Sequence, residues 1–392
     1  MIAEDGTLIH YIEDANQFAE LCRQWTSDTH LALDTEFVRT NTFYPRVGLL
    51  QIADTTDCYL IDPLVVEDWS DFRTLLQGSS NNFVMHSCSE DLNLLQTAIG
   101  CIPNKIFDTQ IAAAFLGLGF SLSYQALVGL LLGIELEKGE TRSDWVRRPL
   151  SENQLLYAAN DVTHLLELES ILRSQLKASQ KLQWFEDECS FVLSASLTAE
   201  ASDNWQHLFI NVNSAWKLNE AGLNALQRLC HWREVTARKR DKPRNWIAKD
   251  ADLLTIAIEI SEVETPTLET IKSLRLSDRR LLERNLLELF EAIIRDGNEF
   301  VAVNPQLLNK PLNSAGRGRL KSSQRLVAAL AAELNIAPEL LARKKLLNDL
   351  IRDFETTGEL NWQGELAGWR RLVLEPALSH VFTDRQNSEV SG

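Results

Sequence analysis

At 392 residues the chain exceeds one typical domain, and a composition of 45% hydrophobic and 24% charged residues excludes an extensively disordered protein. A formal net charge of −16 excludes a protein that coats nucleic acid through its overall field, so any contact with phosphate must use local basic patches. The six cysteines, Cys22, Cys58, Cys88, Cys101, Cys189 and Cys230, are scattered without a Cys-x-x-Cys pair, which speaks against a disulfide framework or a zinc site. The start Met1-Ile2-Ala3-Glu4-Asp5-Gly6 lacks the basic-then-apolar order of a secretory leader. The longest apolar runs, Ile111–Phe120 and Leu127–Ile134, are broken by glycine and fall short of the ~20 residues of a membrane span. A cytoplasmic protein with no membrane partner is expected.

In chain order, Leu8–Ile12, His30–Val38, Val47–Ala53, Cys58–Ile61 and Asn82–His86 read as strands. Between and after them Ala15–Trp25, Trp69–Leu76, Asp91–Ile99, Thr109–Leu116, Leu122–Leu132 and Glu152–Leu176 carry helical periodicity. Asp54–Asp57 reads as a hairpin turn, so the sheet is expected to begin as an antiparallel meander with helices packed on it. Past about Glu200 the strand signals fade. Two helical blocks follow, about Asn219–Arg295 and Leu320–Val381, separated by a turn-rich linker from Asn304 to Gly318.

Four carboxylates stand at element ends. Asp34 and Glu36 close the apolar run Leu31-Ala32-Leu33, and on a strand they share a face at ~7 Å spacing, close enough to share a metal. A lone Asp-x-Glu, however, is ordinarily just solvated. Asp91 falls where the strand ending near His86 gives way to a helix, with Ser87 and Glu90 spaced as a capping box; taken singly it does no more than complement the helix dipole. Ser151 and Gln154 make a second capping box. On the helix it opens, Tyr157 and Asp161 lie one turn apart among small and apolar residues, where an aspartate needs a partner or a metal. Together the four suit two divalent ions about 4 Å apart on a phosphodiester. Asp108 reads as the cap of the helix from Thr109, outside the metal set, as does Glu90.

Leu33-Asp34-Thr35-Glu36-Phe37, His86-Ser87 with Glu90-Asp91-Leu92, and Tyr157-Ala158-Ala159-Asn160-Asp161-Val162 resemble the three motifs of the DEDD exonucleases in their tyrosine branch. Within it, Phe107-Asp108-Thr109-Gln110 and Ser143-Asp144-Trp145-Val146-Arg147-Arg148-Pro149-Leu150 extend the likeness to the ribonuclease D family. The resemblance implies an α/β, RNase H-like mixed-sheet domain over residues 1–200. It further implies that Asp34, Glu36, Asp91 and Asp161 ligate two divalent ions, Mg²⁺ or Mn²⁺, that Tyr157 orients the attacking water, and that hydrolysis from the 3′ end releases nucleoside 5′-monophosphates.

The second half carries a basic island in an acidic protein: Arg228, Arg233, Arg238, Lys239, Arg240, Lys242, Arg244 and Lys249, with His231, Trp232 and Trp246 interleaved. Charge runs are usually solvated faces. Cations beside flat rings, though, also suit single-stranded nucleic acid, and Arg233, Arg238, Lys239, Arg240, Lys242, Arg244 and Trp246 are the candidate RNA contacts. Leu229-Cys230-His231-Trp232-Arg233-Glu234, Arg238–Arg244 and Leu274–Leu282 resemble an HRDC domain, placed at 212–296. Leu334–Ala342 with Gly368-Trp369-Arg370-Arg371 resemble a second, divergent copy at 316–382. The resemblance, a nuclease domain followed by two all-α helical bundles, implies tRNA precursors and other small structured RNAs as partners, and a monomeric enzyme is expected. Arg317, Arg319 and Lys321 are further candidate phosphate contacts in the linker. A DNA exonuclease and a catalytically silent RNA scaffold are the rival readings; a helicase is not, for want of a Gly-x-x-x-x-Gly-Lys-Ser/Thr loop.

Overall fold

The computed structural model describes residues 6–26, 30–136, 139, 143–295 and 299–383. The first five residues, examined above for a leader, and residue 296 at the edge of the first helical block lie outside them. Contacts divide the chain into two compact units: Met1–Val38, Pro45–Leu197 and Ser314–Gly392 in one, Arg39–Tyr44 and Thr198–Asn313 in the other.

The first unit is built on a six-stranded mixed sheet. Its elements run β1 (Leu8–Ile12), α1 (Ala15–Trp25), β2 (His30–Val38), β3 (Arg46–Ala53), β4 (Asp57–Ile61), α2 (Ser70–Leu76), β5 (Asn82–Met85), α3 (Ser89–Leu94), β6 (Ile106–Asp108), α4 (Thr109–Phe115), α5 (Tyr124–Leu132), α6 (Glu152–Thr163), α7 (Leu165–Ala178) and α8 (Leu182–Ala199). The strand order is β1-β4-β3-β2-β5-β6. Strands β2, β3 and β4 form the expected antiparallel meander, closed by an Asp54 N–H bond to Asp57 O at 3.1 Å. Strands β1, β5 and β6 add in parallel, β5 against β2. Strand β3 is buried from Gly48 to Ala53, as its near-continuous apolar run requires of a strand covered on both faces.

Two elements depart from the expected ones for identifiable reasons. Strand β6 is only three residues long, too short for an alternating pattern to show. Glu152–Leu176 is two helices, because the Tyr124 hydroxyl inserts into the backbone ladder: it donates to Asn160 O at 2.9 Å and accepts from His164 N at 3.2 Å, displacing the bond those two groups would share.

The second unit is helical: α9 (Glu220–Lys239), α10 (Arg244–Ile247), α11 (Asp250–Ser261), α12 (Leu268–Lys272) and α13 (Arg279–Ile294). Leu226, Leu229, Leu253, Ile256, Ile271 and Leu289 fill its core. Residues 39–44 belong to it, with Phe43 buried against Ala237 and Ile247 and the Asp241 carboxylate accepting from the Phe43 and Tyr44 amides at 2.9 and 3.0 Å.

The last helices, α14 (Ser314–Leu334), α15 (Pro338–Leu341), α16 (Lys344–Thr357) and α17 (Trp369–Thr383), return to the first unit. Helix α14 starts inside the expected linker and takes in Gly316 and Gly318, so Arg317, Arg319 and Lys321 sit on a helix. Arg370 makes a bidentate pair with Glu188 of α8 at 2.6 and 2.7 Å, with both side chains largely buried. Trp369 stacks on Trp184, the ring centroids 5.4 Å apart, and the Ala337 amide donates to Ala114 O at 2.9 Å.

Candidate active site

Strands β2 and β5 run parallel, so their C-terminal ends lie side by side and open the crevice in which α/β proteins place their ligands. Asp34 and Glu36 occupy the end of β2, and Asp91 lies in the first turn of α3, which follows β5. Helix α6 packs across β2, β3 and β4 and brings Tyr157 and Asp161 to the same place. Its start is set by the expected capping box: Gln154 N donates to Ser151 Oγ at 3.2 Å, and Ser151 N to Gln154 Oε1 at 3.0 Å.

The other expected capping box does not form. Ser87 has φ of 59°, and the Ser87 and Cys88 amides donate instead to the Asp108 carboxylate, at 3.1 and 2.9 Å. The same carboxylate caps α4 through Gln110 N and Ile111 N. Asp108 thus anchors two helix starts, and Glu90 is exposed to solvent.

Asp91 is buried, while Asp34, Glu36, Tyr157 and Asp161 keep partial access to solvent. Asp34 feels the other three acids, Glu36 feels Asp161 and Asp91, and Asp161 feels Asp91, while Asp91 itself feels Asp108 and Glu90. Burial, then Asp91, Asp161 and Glu36, push the Asp34 carboxyl well above its usual range. Burial with Asp161 and Asp91 lifts Glu36 to about 9. Burial raises Asp91 to about 7 against a hydrogen bond from the Thr35 hydroxyl. Burial also raises Asp161 to about 7, against a hydrogen bond from Tyr157. Burial and the neighbouring acids push the Tyr157 phenol up in turn, so at neutral pH it is a donor. All five residues named from the sequence therefore meet in one site.

Four hard-oxygen ligands that repel one another are what divalent cations relieve, and the donor set fits Mg²⁺ or Mn²⁺. Among the described residues no three His, Cys, Asp or Glu side chains stand close enough together to hold a metal ion as they are placed. Sequence reasoning passed over Thr35, although it stands between the two acids of its own motif. It also passed over Gln51, the one polar side chain in the apolar run of β3, which lies opposite Asp34 in the β2–β3 register.

Residues 9–177 match the family model described as 3′-5′ exonuclease, and residues 222–293 match the HRDC domain. Ribonuclease D of Pseudomonas paraeruginosa is 38% identical over 95% of this chain and 97% of its own length. The chain belongs to the ribonuclease D family. Ribonuclease D of Escherichia coli is 32% identical over 93% of this chain and 96% of its own. The crystal structure titled Escherichia coli RNase D, an exoribonuclease involved in structured RNA processing, superposes with a TM-score of 0.81 at 31% identity, covering 96% of this chain and 99% of that one. As a ribonuclease D family member the chain is a 3′-5′ exoribonuclease, and dependence on divalent metal goes with that membership. No helix among the described residues is long and apolar enough to cross a membrane.

In the HRDC region the basic island divides. Glu234, almost fully buried, takes both Arg238 and Arg244. Arg238 also pairs with Glu200 and lies over the Phe43 and Trp205 rings. Arg233 pairs with Asp250 at 2.5 Å, and Arg240 reaches Glu288 at 2.8 Å and Asn285 at 2.9 Å. Lys239, Lys242 and Trp246 are exposed, Trp246 at 60%.

Proposed function

We propose that this enzyme trims the 3′ ends of structured RNA, tRNA precursors above all, one nucleotide at a time by two-metal hydrolysis that releases nucleoside 5′-monophosphates. The observation that carries the reading is the approach of Glu36, Asp91 and Asp161 to Asp34, each raising its proton affinity, with Tyr157 bonded to Asp161. Two bound ions, Mg²⁺ or Mn²⁺, would supply an activated water and offset charge on the leaving oxygen. The four carboxylates would hold the ions at the end of β2, in the first turn of α3 and on α6. Tyr157, a neutral donor one turn from Asp161, orients the attacking water.

The same reading takes residues 1–200 as the catalytic domain, 212–296 as the HRDC domain and 316–382 as a second, divergent HRDC-like domain. It has RNA phosphate and bases meeting Lys239, Lys242 and Trp246, with Arg233, Arg238, Arg240 and Arg244 shaping the surface that presents them. It has the enzyme acting as a monomer in the cytoplasm, a compartment that suits six buried cysteines kept as thiols.

The test is to size the products of a 3′-extended tRNA and of a matched DNA strand, with Mg²⁺ and with chelator. Stepwise shortening of the RNA with mononucleotide release, abolished by chelation, is expected. Internal fragments, or equal activity in chelator, would defeat the proposal.

A further inference from the structure

Buried amides in folded proteins are hydrogen-bonded with few exceptions, because an unmatched donor or acceptor loses water and gains nothing. Gln51 is fully buried in β3, and neither its Nε2 nor its Oε1 has a hydrogen-bond partner. Among the described residues no other side chain leaves two separate buried polar atoms unmatched. Such a group in a strand core marks a place where something else belongs.

Its position says what. Gln51 is paired directly with Asp34 across the β2–β3 ladder, so the two side chains leave the sheet on the same face and stand side by side. On that face its neighbours along β3 are Leu49 and Ala53, and across β4 Leu60, which offer no polar atom. Within the sheet, Asp34 is its polar neighbour. A carboxylate that gives one oxygen to a cation has a second oxygen to be fixed, and the group that fixes it sets the ligand's orientation. An amide suits this place better than a fifth acid, since it donates a hydrogen bond without adding charge to four carboxylates.

We propose that Gln51 is a positioning residue for the metal ligand Asp34: its Nε2–H donates to the carboxylate oxygen turned away from the cations, directly or through one enclosed water, while Oε1 accepts from enclosed water. The inference rests on the reading of Asp34 as a ligand. It adds a residue outside the three exonuclease motifs to the working site.

Mn²⁺ binding, followed by calorimetry and by the electron paramagnetic resonance of free Mn²⁺, tests it on the full-length protein and its Gln51→Met variant, which keeps the shape and removes both unmatched atoms. The variant without metal should unfold at a denaturant concentration no lower than the wild type's, and should bind Mn²⁺ about 10- to 100-fold more weakly. Wild-type affinity in a folded Gln51→Met protein overturns the assignment. A wild-type protein that binds no Mn²⁺ would instead sink the reading of the site itself. Should the variant not fold, a crystal of the wild type grown with Mn²⁺ decides: Nε2 bonded to Asp34, or sharing one water with it, supports the role, and an amide turned away from Asp34 refutes it.

Discussion

Asp34, Glu36, Asp91 and Asp161 hold their protons more tightly than isolated carboxyls do, and that has consequences away from catalysis. The unfolded chain releases these protons near pH 4. The metal-free folded protein keeps them until about pH 7 at Asp91 and Asp161 and about 9 at Glu36. Across that window the native state carries more protons than the unfolded one, so its stability falls as pH rises. A divalent cation displaces the protons, so its affinity rises over the same range. Denaturant melts at pH 6 and pH 8.5, with and without Mg²⁺, should show a larger stabilisation by the ion at the higher pH; equal stabilisation would contradict the shared site. Tyr157 permits a sharper separation. Its ring lies 6.1 Å from that of Trp145, and its hydroxyl bonds Asp161. Tyr157→Phe keeps the packing and removes the hydroxyl, so kcat should fall about 10²- to 10⁴-fold with RNA affinity unchanged. A loss confined to KM would argue against its role in the chemical step.

At the scale of elements, legibility followed how local the cause was. Ser151 and Gln154 cap α6 as their spacing requires, because both partners lie within one turn. Ser87 and Glu90 have the same spacing and make no such cap: Asp108, 20 residues beyond Cys88, takes both the Ser87 and Cys88 amides, and no side chain caps α3. The break at His164 likewise comes from Tyr124, 40 residues away. Gly48 shows the same limit in β3, where an added Cβ would lie 2.5 Å from that of Trp145. The most consequential contact of this kind is Arg370 with Glu188. Arg370→Ala would leave a buried carboxylate without its partner, a loss of about 3–5 kcal/mol. Thermal unfolding followed at the near-ultraviolet tryptophan signal should show a marked drop in Tm, whereas an unchanged Tm would mean that this pair holds nothing together.

For the whole molecule, the order of a mixed-sheet region followed by helices was readable from hydrophobic period, and the five proposed site residues came from the resemblance of three short motifs. What was not readable is that the last helices share a compact unit with the nuclease sheet while the HRDC region forms another. The contacts responsible, Ala337 to Ala114 and Trp369 to Trp184, join residues nearly two hundred or more positions apart, and no local pattern records them. Nor could charge alone show which cations of the basic island are free, since Glu234 is one acid among many until its burial between Arg238 and Arg244 is seen. Native-state hydrogen exchange should find the Ala337 amide as protected as the strands of the sheet; exchange at the rate of an exposed helix would contradict a shared unit. The claim on which the enzyme's chemistry turns is that four distant carboxylates converge on paired cations, and anomalous diffraction from a crystal grown in Mn²⁺ tests it most directly. Two peaks about 4 Å apart, enclosed by Asp34, Glu36, Asp91 and Asp161, are the predicted result. Mn²⁺ bound elsewhere, with those four side chains free of it, would contradict it.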